Sequence, residues 1–100
     1  MIKIRMTDAQ ISALECSGVD VALDAAEELV ARCWQDQQLV FHPDEADALA
    51  SALCELSNAE DACAQDAGRD AAERKFAGRA ARSLAALMSR VGRAAVSACR

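Results

Sequence analysis

In the last third of the chain Leu84, Leu87, Met88, Val91, Ala95 and Ala98 recur at intervals of three and four. That period places them on one stripe of an α-helix, and a stripe of this kind must be covered by other elements. Arg79, Arg82, Arg90, Arg93 and Arg100 fall within an arc of about 80° at 100° per residue, nearly opposite the apolar stripe. A helix so divided calls for helical neighbours, and the composition supplies them. Ala accounts for 24 of the 100 residues, which favours helix and lets helices approach closely. Four Gly and one Pro are too few for a turn-rich β-sandwich. Trp34, Phe41 and Phe76 are the only aromatics, so aliphatic side chains build the core.

The upstream segments fit the same picture. Ile2, Ile4 and Met6 alternate with Lys3 and Arg5, the period of a short strand or extended arm. A strand this short is unstable alone and must lie on the helices or pair with another copy or a partner. Thr7-Asp8-Ala9-Gln10 has the form of a capping box, with Met6 and Ile11 placed for a hydrophobic staple. Gly18 is a helix stop. From Asp20 to about Gln37, Val19, Leu23, Ala26, Val30, Cys33 and Trp34 share a helical stripe. Leu39-Val40-Phe41 reads as an apolar connector or short strand. His42-Pro43-Asp44-Glu45 opens a further helix, with Pro at its first position and acids in its first turn. That helix turns Ala46, Leu49, Leu53 and Leu56 inward. Glu60 would fall on the apolar stripe if it continued, and Ser57-Asn58-Ala59-Glu60 resembles a second capping box, so a break is expected near Ser57. A further helix is then expected over 58–77, weakened at Gly68. The fold class is mainly α: one domain over 1–100, a compact bundle of four to five helices with a short N-terminal strand or arm.

Charge is strongly polarised. Residues 1–68 carry 14 acidic and 3 basic side chains, a net of −11; residues 69–100 carry 2 and 8, a net of +6; the sum is the −5 of the whole chain. Such asymmetry implies either an internal fit between acidic and basic helices or a surface for a partner. The arginine face suits phosphates or carboxylates, because the planar guanidinium binds both in a fork. It is open to three readings: nucleic-acid backbone contact, docking on an acidic protein surface, or plain solvation. No aromatic residues interleave with it to stack bases. Asp20, Asp24, Glu27, Asp44, Asp47 and Glu55 form the complementary acidic faces, placed to stand where a partner expects phosphates. With Arg79, Arg82, Arg90 and Arg93 they are the candidate partner-binding residues.

Catalytic and metal chemistry find little to work with. The five cysteines, Cys16, Cys33, Cys54, Cys63 and Cys99, are odd in number and lack CxxC spacing, and His42 is the one histidine. They read as reduced thiols acting mostly as small apolar residues. His42 stands before Pro43, a turn position. There is no phosphate loop, HExxH or calcium loop. No catalytic residue, cofactor or metal is expected, so the chain reads as a binder of macromolecules. The opening MIKIRMTDAQ lacks a signal-peptide apolar stretch, and no apolar run reaches the 18 or so residues that span a bilayer. A cytoplasmic location is expected, as monomer or homodimer.

The small size, the opening MIKIRMTDAQISALE and the acidic, Ala-rich helical body resemble the small anti-CRISPR proteins of phages and prophages, nearest the type I-F inhibitors. The resemblance spans the chain in general character and carries no diagnostic motif or individual binding residue. It implies a non-enzymatic inhibitor in the host bacterial cytoplasm. Such an inhibitor binds Cas subunits of the type I-F (Csy) surveillance complex and blocks target-DNA binding or nuclease recruitment. The alternatives from the residues themselves are a small DNA- or RNA-binding regulator using the C-terminal arginines, and a helical protein-binding adaptor.

Overall fold

The computed structural model describes residues 1–16 and 25–98. Strand β1 (Ile2–Arg5) leads into helix α1 (Asp8–Cys16). The junction is the capping box expected from the sequence. Thr7 N–H donates to Gln10 Oε1 at 3.1 Å and Gln10 N–H donates to Thr7 Oγ1 at 3.2 Å. Two otherwise orphaned donors are thereby satisfied where the chain changes direction. Gly18, the expected stop, lies outside the described residues.

Helix α2 (Ala25–Cys33) ends earlier than its periodicity suggests. Trp34–Gln35 is instead strand β2, joined through Asp36 and Gln37 to β3 (Gln38–Phe41). Asp36 takes φ 59°, in the left-handed region that Asp tolerates better than most residues. The Trp34 indole N–H donates to the Asp36 carbonyl at 2.7 Å and closes the hairpin. β3 is the centre of a three-stranded antiparallel sheet of order β1-β3-β2. Ile4 stands opposite Leu39, and Ile2 opposite Phe41. Met6 N–H donates to the Gln37 carbonyl at 2.8 Å and carries the pairing one residue further. The N-terminal strand therefore finds its partner within its own chain.

A 3-10 turn over Pro43–Glu45 precedes α3 (Ala46–Ala64). The Glu45 carboxylate accepts the His42 backbone N–H at 3.0 Å through Oε1 and pairs with Arg32 at 2.8 Å through Oε2. One side chain thus ties α2 to the start of α3. The break expected near Ser57 is absent: α3 runs unbroken for 19 residues. Ser57 does not cap a helix; its hydroxyl donates to the Ala81 carbonyl at 2.9 Å. Glu60 does fall on the apolar side, but near the open end of the bundle, where it is half-buried.

The true break is at 65–70. Asp66 Oδ1 accepts the Gly68 N–H at 3.0 Å in a tight turn. Asp70 Oδ1 then accepts the Ala72 N–H at 3.4 Å, and the Asp70 carbonyl accepts the Arg74 N–H at 3.0 Å. That is the start of α4 (Ala71–Ala98), which has 28 residues. The helix expected over 58–77 is in fact the end of α3, the turn and the first turns of α4. At 1.5 Å per residue α4 is about 42 Å long, close to the 46 Å long axis of the molecule.

Helix α4 is the common wall. α3 packs antiparallel along it, α1 lies on its other flank, and β1 rests against it. Leu84, Leu87 and Val91 of α4 share one core with Leu14, Val30, Leu39, Phe41, Leu49 and Leu53, all fully buried. The mainly helical class is as expected, with four α-helices among the described residues; the expected short strand or arm is one strand of a three-stranded sheet that the sequence does not anticipate.

Candidate functional site

The arginine arc comes out on the solvent side of α4, as the helical period requires. Arg79, Arg82 and Arg93 are exposed, and so is Lys75, which the period places in the same arc. In the sequence Lys75 falls in the segment expected as a separate helix over 58–77, which hides its place in the arc. Arg90 differs: it is half-buried, and its Nη1 donates to Gln10 Oε1 at 3.0 Å. Its guanidinium is engaged in holding α1 to α4.

The acidic nominations disperse. Asp20 and Asp24 lie outside the described residues. Glu27 is half-buried on α2. Asp44 is exposed in the 3-10 turn, and Asp47 and Glu55 are exposed on α3. Because α3 and α4 run antiparallel, with Ser57 opposite Ala81, Asp47 falls about level with Val91, yet it forms no ion pair with Arg90 or Arg93. The acids of α3 do not neutralise the bases of α4. Among the described residues the ion pairs are Arg32 with Glu45 and Arg69 with Asp66 at 3.4 Å, and neither joins α3 to α4. Lys75, Arg79, Arg82 and Arg93 form no ion pair with a carboxylate among the described residues.

Several concavities border α4, and two of them are also lined by α1. At the open end of the bundle Cys16 of α1, Glu60 and Cys63 of α3, Arg69 of the turn, and Phe76 of α4 line a shallow groove of about 590 Å³. Burial raises the Glu60 carboxyl above its ordinary range, with Arg69 opposing. Burial also raises the Cys16 thiol, reinforced by the charges of Glu60 and Glu15. A thiol pushed in that direction is held protonated, the opposite of an activated nucleophile. Cys33, in the core, is raised by burial as well.

The second concavity is a small notch of about 130 Å³ between α1 and α4, lined by Ala9, Ser12, Ala13, Phe76, Arg79, Ala80 and Ser83. Phe76 is 47% exposed, so its ring forms part of the surface. Sequence reasoning assigned no role to Phe76; its position one turn before Ala80 and beside Arg79 was the available signal.

No group of three His, Cys, Asp or Glu side chains able to hold a metal ion occurs among the described residues. No helix there is long and apolar enough to cross a membrane. Compared with protein-family models, with curated proteins and with solved structures, the chain matches none of them.

Proposed function

We propose that this protein acts without catalysis, as an inhibitor that docks on a macromolecular complex through its charged surface. The complex suggested by the resemblance in size, opening sequence and helical character is the type I-F surveillance assembly. The observation that supports docking is the basic face of α4. Lys75, Arg79, Arg82 and Arg93 are exposed there and form no ion pair among the described residues, although an acidic helix packs alongside. Arginines that are not consumed within a fold remain available for carboxylates or phosphates of a partner.

The test is co-elution with purified Csy complex in size-exclusion chromatography, followed by a target-DNA gel shift with the free protein as a control. Co-elution with loss of target binding supports the reading. Co-elution with target binding intact moves the action to nuclease recruitment. Absence of co-elution removes this partner.

A second reading rests on the same face. A DNA- or RNA-binding regulator would use the arginines on backbone phosphates, giving a gel shift that weakens steeply with salt. The net charge of −5 opposes it at long range.

A further inference from the structure

The notch between α1 and α4 has Arg79 in its lining, and Lys75 stands one turn from Arg79 on the same helix, whereas Arg82 lies in a separate groove on the α3 side. The notch is lined by Ala9, Ala13 and Ser12 of α1 and by Phe76, Arg79, Ala80 and Ser83 of α4, with Ala13 and Ala80 buried. At about 30 Å³ per water, its 130 Å³ is the bulk of about four waters, or of one aliphatic side chain. Along the same half of α4, Lys75 and Arg79 are one turn apart and Arg82 follows. Like charges at that spacing repel one another, and no ion pair among the described residues relieves them. An apolar seat bordered by unneutralised cations matches a ligand with an apolar projection and nearby carboxylates.

We infer that the first half of α4 docks an acidic segment of a partner protein, with one apolar side chain of that segment in the α1–α4 notch and its carboxylates on Lys75 and Arg79. This rests on the non-catalytic docking reading and names the face and the chemistry of its partner.

The surroundings favour a peptide over a nucleic acid. Phe76 is the single aromatic in the notch, so no platform for successive bases exists. Asp61 shares a groove with Arg82 on the α3 side of α4. A long run of phosphates along the arc would pass this carboxylate, whereas a short acidic segment seated at the notch and held by Lys75 and Arg79 need not. Arg93 is remote, eleven residues or about 16 Å further along α4 than Arg82.

The experiment is a fluorescence-anisotropy titration of the whole chain with a short labelled peptide of Glu residues around one central Leu. The same peptide with Ala at the centre and a labelled thymidine oligonucleotide serve as comparisons. The Leu peptide is expected to bind at least about fivefold more tightly than the Ala peptide and than the oligonucleotide. Arg79→Glu should weaken the Leu peptide about tenfold, Ser12→Trp should bring it down to the level of the Ala peptide, and Arg93→Glu should leave it within about twofold. Equal binding of the two peptides, tighter binding of the oligonucleotide, or indifference to Arg79→Glu in a folded variant overturns the inference. Because the titration contains no surveillance complex, its failure is separate from that of the inhibitor reading. If Ser12→Trp melts early by circular dichroism, the Leu-against-Ala comparison on the unmodified chain still decides.

Discussion

Gln10 Oε1 accepts a hydrogen bond from Arg90 Nη1 at 3.0 Å, joining residues 80 positions apart, while the same oxygen accepts the Thr7 N–H at 3.1 Å. One amide oxygen thus serves both the start of α1 and the contact between α1 and α4. Gln10 is 5% exposed, so a partner left behind by its removal is poorly placed to find water. Gln10→Ala is expected to cost about 1–3 kcal/mol in urea unfolding, combining a lost cap with an unpaired guanidinium. Gln10→Glu keeps the cap geometry and gives Arg90 a charged acceptor, so it should lose far less.

The continuity of α3 makes Asn58 a sharp position. Were a helix to begin near Ser57, proline at residue 58 would sit in a first turn and be tolerated. In an unbroken helix it removes a backbone bond and clashes with the preceding turn. Asn58→Pro should therefore cost about 3 kcal/mol or more, with a matching loss of helical circular dichroism. Ser57→Ala, which removes only the hydroxyl bond to Ala81, should cost about 0.5–1.5 kcal/mol.

Glu60 sets a pH dependence of definite sign. Burial raises its carboxyl above the ordinary 4.5, so the folded protein holds that proton more tightly than the unfolded chain does. Its contribution favours folding most below pH 4.5 and is lost as pH climbs through the raised value. Glu60→Gln should raise the melting temperature at neutral pH and bring no gain at pH 4 or below. The same change removes one of the charges that raise the Cys16 thiol. Alkylation of Cys16 by iodoacetamide should then reach its half-maximal rate at a lower pH than in the parent protein, read by mass spectrometry of the Cys16 peptide.

Gly92 lies within α4, and a methyl group built on it would meet nothing within 4 Å. Glycine there only adds freedom to the unfolded chain. Gly92→Ala should stabilise the protein by about 0.5–1 kcal/mol without altering the midpoint of any peptide titration at the notch.

Local chemistry was legible in the sequence, whereas relations across the chain were not. Thr7 and Gln10 announce their cap because all its atoms lie within four residues. The amphipathic division of α4 is legible for the same reason, being a period along one segment. Trp34 misleads: its position on the stripe of Val30 and Cys33 extends the helix on paper, and Asp36-Gln37 lacks the glycine that usually marks a two-residue hairpin. Pairing β1 with β3 decides the matter, and Leu39 lies 35 residues from its partner Ile4. Glu60 misleads in the opposite way, since a carboxylate on an apolar stripe looks like a break unless the end of the bundle is known to be open. Gly68 was read as a weak point inside a helix, although Asp66 and Asp70 around it are turn and cap residues. Arg90 shows the limit for the site itself. Its place in the arc equals that of its neighbours, and only the approach of α1 separates a structural arginine from a free one.

Placing the shared wall at residues 71–98 has a bearing on how the chain acquires its structure during synthesis. A ribosome delivers β1, α1, α2 and α3 before the surface that covers most of them exists. The α3–α4 hairpin, closed by a short turn, is the segment whose contacts are nearest in sequence and so the quickest to close. Helix α1 and strand β1, which rest on α4, gain that support only after it. Nascent chains stopped before α4 should therefore stay open to protease, and acquire resistance in one step once that helix has cleared the exit tunnel.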